Sequence, residues 1–427
     1  MTTTLNWLLP VLMPALYLLW ACWLLQVAAC AAQARRFRRC FNRGDRAKFH
    51  AFRPPTVLIV PFKGIDTGAV ANIQSLFRQD HPDYRLVCVV EAEEDPVYPM
   101  LVQEAAKFPG VRCDVVVAGQ SDPRTGQKVH NQRTALLHLE RFRDGPRHPD
   151  EAWVFADSDA VPDAGWLGRM VGPLQKQDNA VVTGYRWLTP VRGTQTRFPW
   201  GSRLASVVNA GVASFMADRR LTFAWGGSMS MLARTADAGG LLSLWRHALS
   251  DDFQVSRMAM ELGRRVYFVP SCLVESPIEL ELRGFFEFAR RQYVITRVHA
   301  PALYAKAVAA LSVWLTGWCT AIVAAGWGVA TRTPQLWVPA CAVLALVAVL
   351  DQLRAWIRRR MVLEVFRSGT YQRLKPALRL DQFGMPLVFL LNLLAMLSAL
   401  SSKRITWRGR TYRLNGPQAI EEMRGAA

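Results

Sequence analysis

Two carboxylates at positions i and i+2, Asp157 and Asp159, follow the strand-like run Trp153-Val154-Phe155-Ala156. A buried strand that ends in Asp-Ser-Asp presents both acids at the carboxyl edge of a sheet, where open α/β sheets keep their ligand crevice. Hard oxygen donors there suit a divalent cation, Mg or Mn, held against a diphosphate. The bland alternative is an ordinary turn, since Asp and Ser are common turn residues. Three further groups fall at predicted loop edges. Asp95 closes the acidic loop after the second strand and could accept hydrogen bonds from a base or ribose. Asp252 stands at a helix start behind Ser250, a candidate N-cap, and could act as a general base. Arg290 and Arg291, followed by Gln292 and Tyr293, could neutralise a departing diphosphate, or else form a basic stripe behind Phe285, Phe286 and Phe288.

The elements that must hold these groups alternate. Apolar runs at 56–60, 85–90, 113–117 and 153–156 read as buried parallel strands. Helical patterns lie between them at 69–79, 100–108 and 131–142. This alternation predicts an α/β fold, Rossmann-like, with a mostly parallel sheet. Beyond Asp159 the signal loosens: short strands are expected at 181–183 and 266–269, helices near 251–262 and 280–299, with a mostly apolar run at 229–232 and no clear period over 190–215. Trp225-Gly226-Gly227 reads as a tight turn.

The ends of the chain are different. Residues 5–32 carry no charge and exceed the roughly 20 residues needed to cross a bilayer. Arg35, Arg36, Arg38 and Arg39 follow at once, which places the next segment in the cytoplasm. Uncharged runs recur at 307–330, 336–350 and 385–402, with an Arg-rich amphipathic stretch between the last two. The expected organisation is a transmembrane anchor (1–34), a cytoplasmic catalytic domain (35–300), C-terminal transmembrane and interfacial helices (301–402) and a basic tail (403–427). A third full crossing would put that tail outside, against the positive-inside bias, so the last run is expected to be re-entrant or interfacial. Net charge is +19. Much of it clusters beside apolar runs, which favours a lipid bilayer as partner and not nucleic acid. Eight cysteines are scattered without ligand spacing, which argues against a disulfide framework or a zinc site.

Several stretches together carry a resemblance: Pro61-Phe62-Lys63-Gly64-Ile65-Asp66, Glu94-Asp95-Pro96, Gly126-Gln127-Lys128-Val129-His130-Asn131, Asp157-Ser158-Asp159 and Asp251-Asp252-Phe253. In this order they resemble family 2 glycosyltransferases, most of all the ceramide glucosyltransferase branch, over roughly residues 50–300. The resemblance implies a GT-A fold, a UDP-sugar donor, inversion at the anomeric carbon and a membrane lipid acceptor. It marks Asp95, Asp157 and Asp252 as key aspartates, with Asp252 the base. It makes Pro61, Lys63, Lys128 and Asn131 donor-side candidates, although Lys63 and Lys128 also read as surface lysines. Trp225, Gly226, Gly227, Gln292 and Tyr293 become candidates for the acceptor pocket. One departure stands out: the family's (Q/R)xxRW motif is Ala289-Arg290-Arg291-Gln292-Tyr293 here. Two other readings stay open. A processive polysaccharide synthase would need more spanning helices, and a non-catalytic membrane scaffold binding nucleotide sugar would not need all three aspartates.

Overall fold

The computed structural model describes residues 2–42, 51–66, 68–191 and 199–423, and the chain divides into two compact units. The first unit comprises 40–188, 215–277 and 403–427, and the second 1–39, 189–214 and 278–402.

The first unit is built on a seven-stranded sheet. In chain order its strands are β1 (Thr56–Pro61), β2 (Tyr84–Val90), β3 (Arg112–Val117), β4 (Ala152–Ala156), β5 (Asn179–Pro190), β6 (Ser228–Leu232) and β7 (Arg265–Ile278). Their order across the sheet is β3-β2-β1-β4-β6-β5-β7. The first four run parallel, with Thr56 opposite both Tyr84 and Ala152. β6 is antiparallel to β4 and to β5. The apolar runs of β1, β2 and β4 lack polar alternation because both faces are covered. Val57, Ile59, Val89 and Phe155 enter one core, and Leu58, Val60, Val90 and Val154 the other. The mostly parallel sheet with flanking helices is therefore as expected.

The carboxyl ends of β1 to β4 share one edge. Because β6 runs against β4 with Ser228 opposite Ala156, the turn before β6 arrives at that same edge. The sheet order reverses between β1 and β4, and a crevice at such a switch point is where ligands bind in open α/β sheets.

Four details differ from expectation. β5 and β7 are long strands, 12 and 14 residues, that run on past the short apolar signals. The helix expected from 131 is Gln127–Arg141. Residues 200–214, without a clear period, form a helix of the second unit, Trp200–Ser214. The expected basic tail is largely a sheet of the first unit: β8 (Arg404–Trp407), β9 (Arg410–Gly416) and β10 (Ala419–Glu422) pair antiparallel in sequence order. Ile405, Tyr412, Leu414 and Ile420 are all buried and make its apolar face.

The second unit is helical. Leu12–Phe41, Pro301–Ala330 and Pro334–Val365 are each long and apolar enough to cross a membrane. The Arg-rich stretch is continuous with the last of these and is no separate helix. Its Arg354 and Arg358 are buried on Asp381, at 2.7 and 2.6 Å. Ser368–Phe383 and Met385–Ser398 form a pair bent by 94°.

Candidate active site

Lys128 lies in the first turn of its helix, where the backbone dipole disfavours a cation. Two carboxylates outweigh that. Its Nζ sits 2.7 Å from Asp157 and 3.0 Å from Asp251, and donates to the Gly226 carbonyl at 3.3 Å. Burial alone would lower the lysine's pKa, but the two aspartates raise it above the ordinary range. Burial alone would raise Asp157, but Lys128 holds it below the ordinary carboxylate value. Lys128, its side chain 16% exposed, is thus a bridge between two acids and not a surface lysine.

The turn Trp225-Gly226-Gly227-Ser228 closes over this bridge, with the Asp157 N–H facing the Gly227 carbonyl at 3.4 Å. Both glycines are required by space. A Cβ on Gly226 would stand 2.5 Å from Asp251 Oδ2. One on Gly227 would stand 2.2 Å from the Trp225 ring and 2.6 Å from Asp157 Oδ2. The Trp225 ring itself packs edge-on to Tyr185, with Arg186 across it at 5.9 Å.

The twin aspartates at the helix Asp251–Glu261 have different surroundings. Ser250 caps the helix as expected, accepting from the Phe253 N–H at 3.2 Å. Asp251 is 4% exposed, and its Oδ2 is taken by Lys128 and by Gln132 Nε2 at 2.9 Å. Asp252 Oδ1 accepts from Ser250 Oγ at 2.5 Å and from the Phe253 N–H at 2.8 Å. Among the described residues its Oδ2 meets only a long contact from the Gly226 N–H, 3.3 Å. Burial, then repulsion from Asp251, raises the Asp252 pKa above its ordinary value. Of the two, Asp252 has the less engaged oxygen.

Asp159 is raised as well, by burial and then by Asp157, with Asp66 adding to it. Carboxylates therefore gather at the end of β4 in mutual repulsion, and a hard divalent cation relieves such a cluster. Among the described residues no three His, Cys, Asp or Glu side chains converge as a complete metal site. Asp157 and Asp159 fit an ion that takes its remaining oxygens from a diphosphate and water, as Mg commonly does.

Around this centre, Asp95 clamps the loop after β1. Its two oxygens accept from the Gly64 N–H at 2.9 and 3.1 Å, and Oδ1 also from the Val97 N–H at 3.1 Å. Gly64 has φ +66, which favours glycine there. Pro61 ends β1, and Lys63 pairs with Glu91 at 3.3 Å. Asn131 is buried and accepts from Gln127 Nε2 at 2.8 Å. Gln127 in turn holds Ser121 N–H and the Gly119 carbonyl, each at 2.9 Å. A cleft of about 530 Å³ opens beyond β2 and β3, lined by Glu91, Ala92, Glu94, Val117 and Gly119 among others.

Arg290, Arg291, Gln292 and Tyr293 belong to the helix Leu282–His299 of the second unit. There Arg290 donates to the Ser398 carbonyl at 3.3 Å, and the Arg291 guanidinium lies 5.5 Å from the Phe288 ring centre. The Gln292 carbonyl accepts from Thr296, and the Tyr293 hydroxyl bonds Asn392.

Sequence reasoning missed the C-terminal hairpin. Arg408 donates to the Lys63 carbonyl at 2.5 Å and pairs with Asp66 at 3.2 Å. Arg410 pairs with Glu91, and with Glu422 at 2.5 Å. The signal was present: Arg408-Gly409 between Ile405/Trp407 and Tyr412/Leu414 is a two-residue turn flanked by alternating apolar residues.

The sheet and the site at its edge define a glycosyltransferase of GT-A type. The chain belongs to glycosyl transferase family 21, whose family model matches residues 18–420. This narrows the broader family 2 resemblance and agrees with its ceramide glucosyltransferase branch. Among solved structures, a mannosyltransferase from Pyrobaculum calidifontis in complex with GDP-mannose and Mn2+ is similar, at 16% identity and a TM-score of 0.46, over 90% of this chain and 99% of that one. A glucosyl-3-phosphoglycerate synthase from Mycobacterium tuberculosis, in complex with Mn2+, UDP-glucose and glycerol 3-phosphate, is similar at 16% identity and a TM-score of 0.37, over 58% and 80%.

Proposed function

We propose that the chain transfers a hexose from a UDP-sugar to the hydroxyl of a membrane lipid, ceramide-like or diacylglycerol-like, at the cytoplasmic face and with inversion. The observation that carries this is the unequal pair Asp251 and Asp252. One is locked on Lys128 and Gln132, and the other holds a raised pKa and a freer Oδ2 at the same sheet edge as Asp157.

In this reading the acceptor oxygen attacks the anomeric carbon while Asp252 Oδ2 takes its proton. The bond from that carbon to the diphosphate oxygen breaks, and its electron pair leaves with the diphosphate. A divalent cation, when bound by Asp157 and Asp159, would offset the charge on the leaving group. Lys128 holds Asp157 ionised for that task. Gly226 and Gly227 keep the floor of the site thin, with Trp225 as a candidate wall for the acceptor. Asp95 holds the Gly64 loop, and its remaining lone pairs are available to the nucleoside.

The chain is read as multi-pass. A folded unit occupies one side of a bilayer, and residues 215–277 and 403–427 lie in one unit. The segment between them therefore crosses an even number of times. In this reading Pro301–Ala330 and Pro334–Val365 supply two crossings, and the pair bent by 94° is taken as re-entrant. The arginines of 403–413 then stay on the side of Arg35–Arg39, in keeping with the positive-inside bias.

The test is lipid mass spectrometry of cells with and without the chain, followed by membranes supplied with radiolabelled UDP-hexoses. An organic-extractable glycolipid is expected. Label in an insoluble polymer instead would overturn the lipid acceptor, and no turnover across a panel of sugars and lipids would overturn the enzyme reading.

A further inference from the structure

The family's terminal Arg-Trp is Gln292-Tyr293 in this chain, and the two arginines beside it have partners of their own: Ser398 for Arg290 and the Phe288 ring for Arg291. Lys128 is shared between Asp157 and Asp251. None of these stands ready for a diphosphate.

A different guanidinium, Arg408, is engaged as well, but it lies against the loop after β1 beside the site and keeps its side chain exposed. Arg408 and Gly409 are the two-residue turn between β8 and β9, closed by the pair Trp407 and Arg410. Both have positive φ, 46° and 78°. At Gly409 that conformation is free, whereas a side chain costs roughly 1–2 kcal/mol there. Asn or Gly is the usual choice, so an arginine at this tip runs against local preference. Its guanidinium reaches the loop after β1, donating to the Lys63 carbonyl at 2.5 Å and lying 3.2 and 3.4 Å from the two Asp66 oxygens. Asp66 Oδ2 also accepts from Ser158 Oγ at 2.8 Å. Arg408 is thus two hydrogen bonds from the centre of Asp157-Ser158-Asp159, and its charge is felt at both aspartates. Its side chain keeps 42% exposure, so a ligand can reach it.

The hairpin is firmly seated. Arg410 pairs with Glu91 and Glu422, the Gln127 N–H meets Tyr412 Oη at 3.5 Å, and Gln254 Nε2 donates to the Pro417 carbonyl at 2.8 Å. Such anchoring fixes the tip against the donor-side loop.

We propose that Arg408 is the arginine that binds the donor's β-phosphate. It exchanges its Asp66 contact for phosphate oxygens when the donor enters and holds them as the sugar leaves. The proposal rests on the nucleotide-sugar reading above and adds to it a residue from the far end of the chain.

The experiment titrates the full-length chain in nanodiscs, with Mn2+, against UDP and against UMP, which lacks the β-phosphate. Wild type, Arg408→Gln and Arg408→Lys are compared. Arg408→Gln is expected to weaken UDP about 10- to 100-fold, the scale of a lost hydrogen bond to a charged group. UMP affinity should hold within about twofold, and Arg408→Lys should fall between. Retained UMP binding also shows that the variant is folded. An unchanged ratio of UDP to UMP affinity in Arg408→Gln, whether both persist or both fall, overturns the assignment while leaving the donor reading intact. A wild-type chain that binds neither nucleotide overturns the donor reading, and this inference with it.

Discussion

Replacing Asp252 by Asn separates proton transfer from everything else the site does. The amide is nearly isosteric and keeps an oxygen for Ser250 Oγ and the Phe253 N–H, now at 2.5 and 2.8 Å. It loses the long Gly226 N–H contact at 3.3 Å, because an NH2 group faces that donor. The loss costs about 1 kcal/mol at most. Against it stands the removal of a buried charge beside Asp251. The Asp252 pKa is raised by burial and by that neighbour, so the carboxyl's stabilising contribution is complete below the ordinary value near 4. It is lost as pH rises through the elevated value. Above that elevated value the ionised group is a net cost, and Asn removes it. The unfolding midpoint of Asp252→Asn should therefore match or exceed wild type at pH 7.5, with the advantage shrinking in acid. Turnover should fall about 10²- to 10⁴-fold, the usual contribution of a general base. UDP affinity should stay within about twofold, because the change leaves Asp95, Asp157 and Arg408 in place. Sugar transfer in nanodiscs, nucleotide titration and thermal unfolding at several pH values measure the three quantities. Turnover within about threefold of wild type, or UDP affinity falling in step with turnover, would refute Asp252 as the base.

Three other outcomes are expected. Gly227→Ala places a methyl 2.2 Å from the Trp225 ring and 2.6 Å from Asp157 Oδ2; it should cost about 1–3 kcal/mol and lower turnover at least tenfold, and a variant with normal melting and rate would contradict the close packing. Asp159→Asn should raise the Mn2+ concentration for half-maximal activity by about tenfold or more, whereas an unaltered metal response would remove Asp159 from the ion. A tag after residue 427 should be accessible from the same membrane side as one in the 143–149 loop, and protease protection of one but not the other would break the even-crossing topology.

The sequence made the centre of the first unit legible for a physical reason. β1, β2 and β4 are covered on both faces, so they appear as unbroken apolar runs, and each ends at an edge where polar residues begin. Asp157 and Asp159 announce that edge, and Ser250 announces the next helix. Less legible was anything set by long-range partners. Lys128 looks like any lysine until Asp157 and Asp251 are brought to it. β5 and β7 continue through polar positions because neighbouring strands pair with them, which local propensity does not encode. The helix Trp200–Ser214 is broadly buried, and uniform burial erases the amphipathic period. The hairpin β8–β9 was hidden by its charge: Arg404, Arg408, Arg410 and Arg413 suggest a solvated tail, while Ile405, Tyr412 and Leu414 between them carry the fold.

That hairpin also imposes an order on biosynthesis. The first unit is discontinuous in the chain, and the residues that complete it, 403–423, emerge only after the helices Pro301–Ala330, Pro334–Val365 and Met385–Ser398. The ribosome thus finishes the membrane segments before the catalytic unit can close. Until it does, Glu91 and Asp66 lack Arg410 and Arg408, and the Gln127 end of its helix lacks Tyr412. A chain stopped at residue 402 keeps all three aspartates and every apolar helix, yet lacks the arginine contacts to Lys63, Asp66 and Glu91. On the nucleotide-sugar reading, binding of the donor is expected to begin only once residues 403–423 have been made.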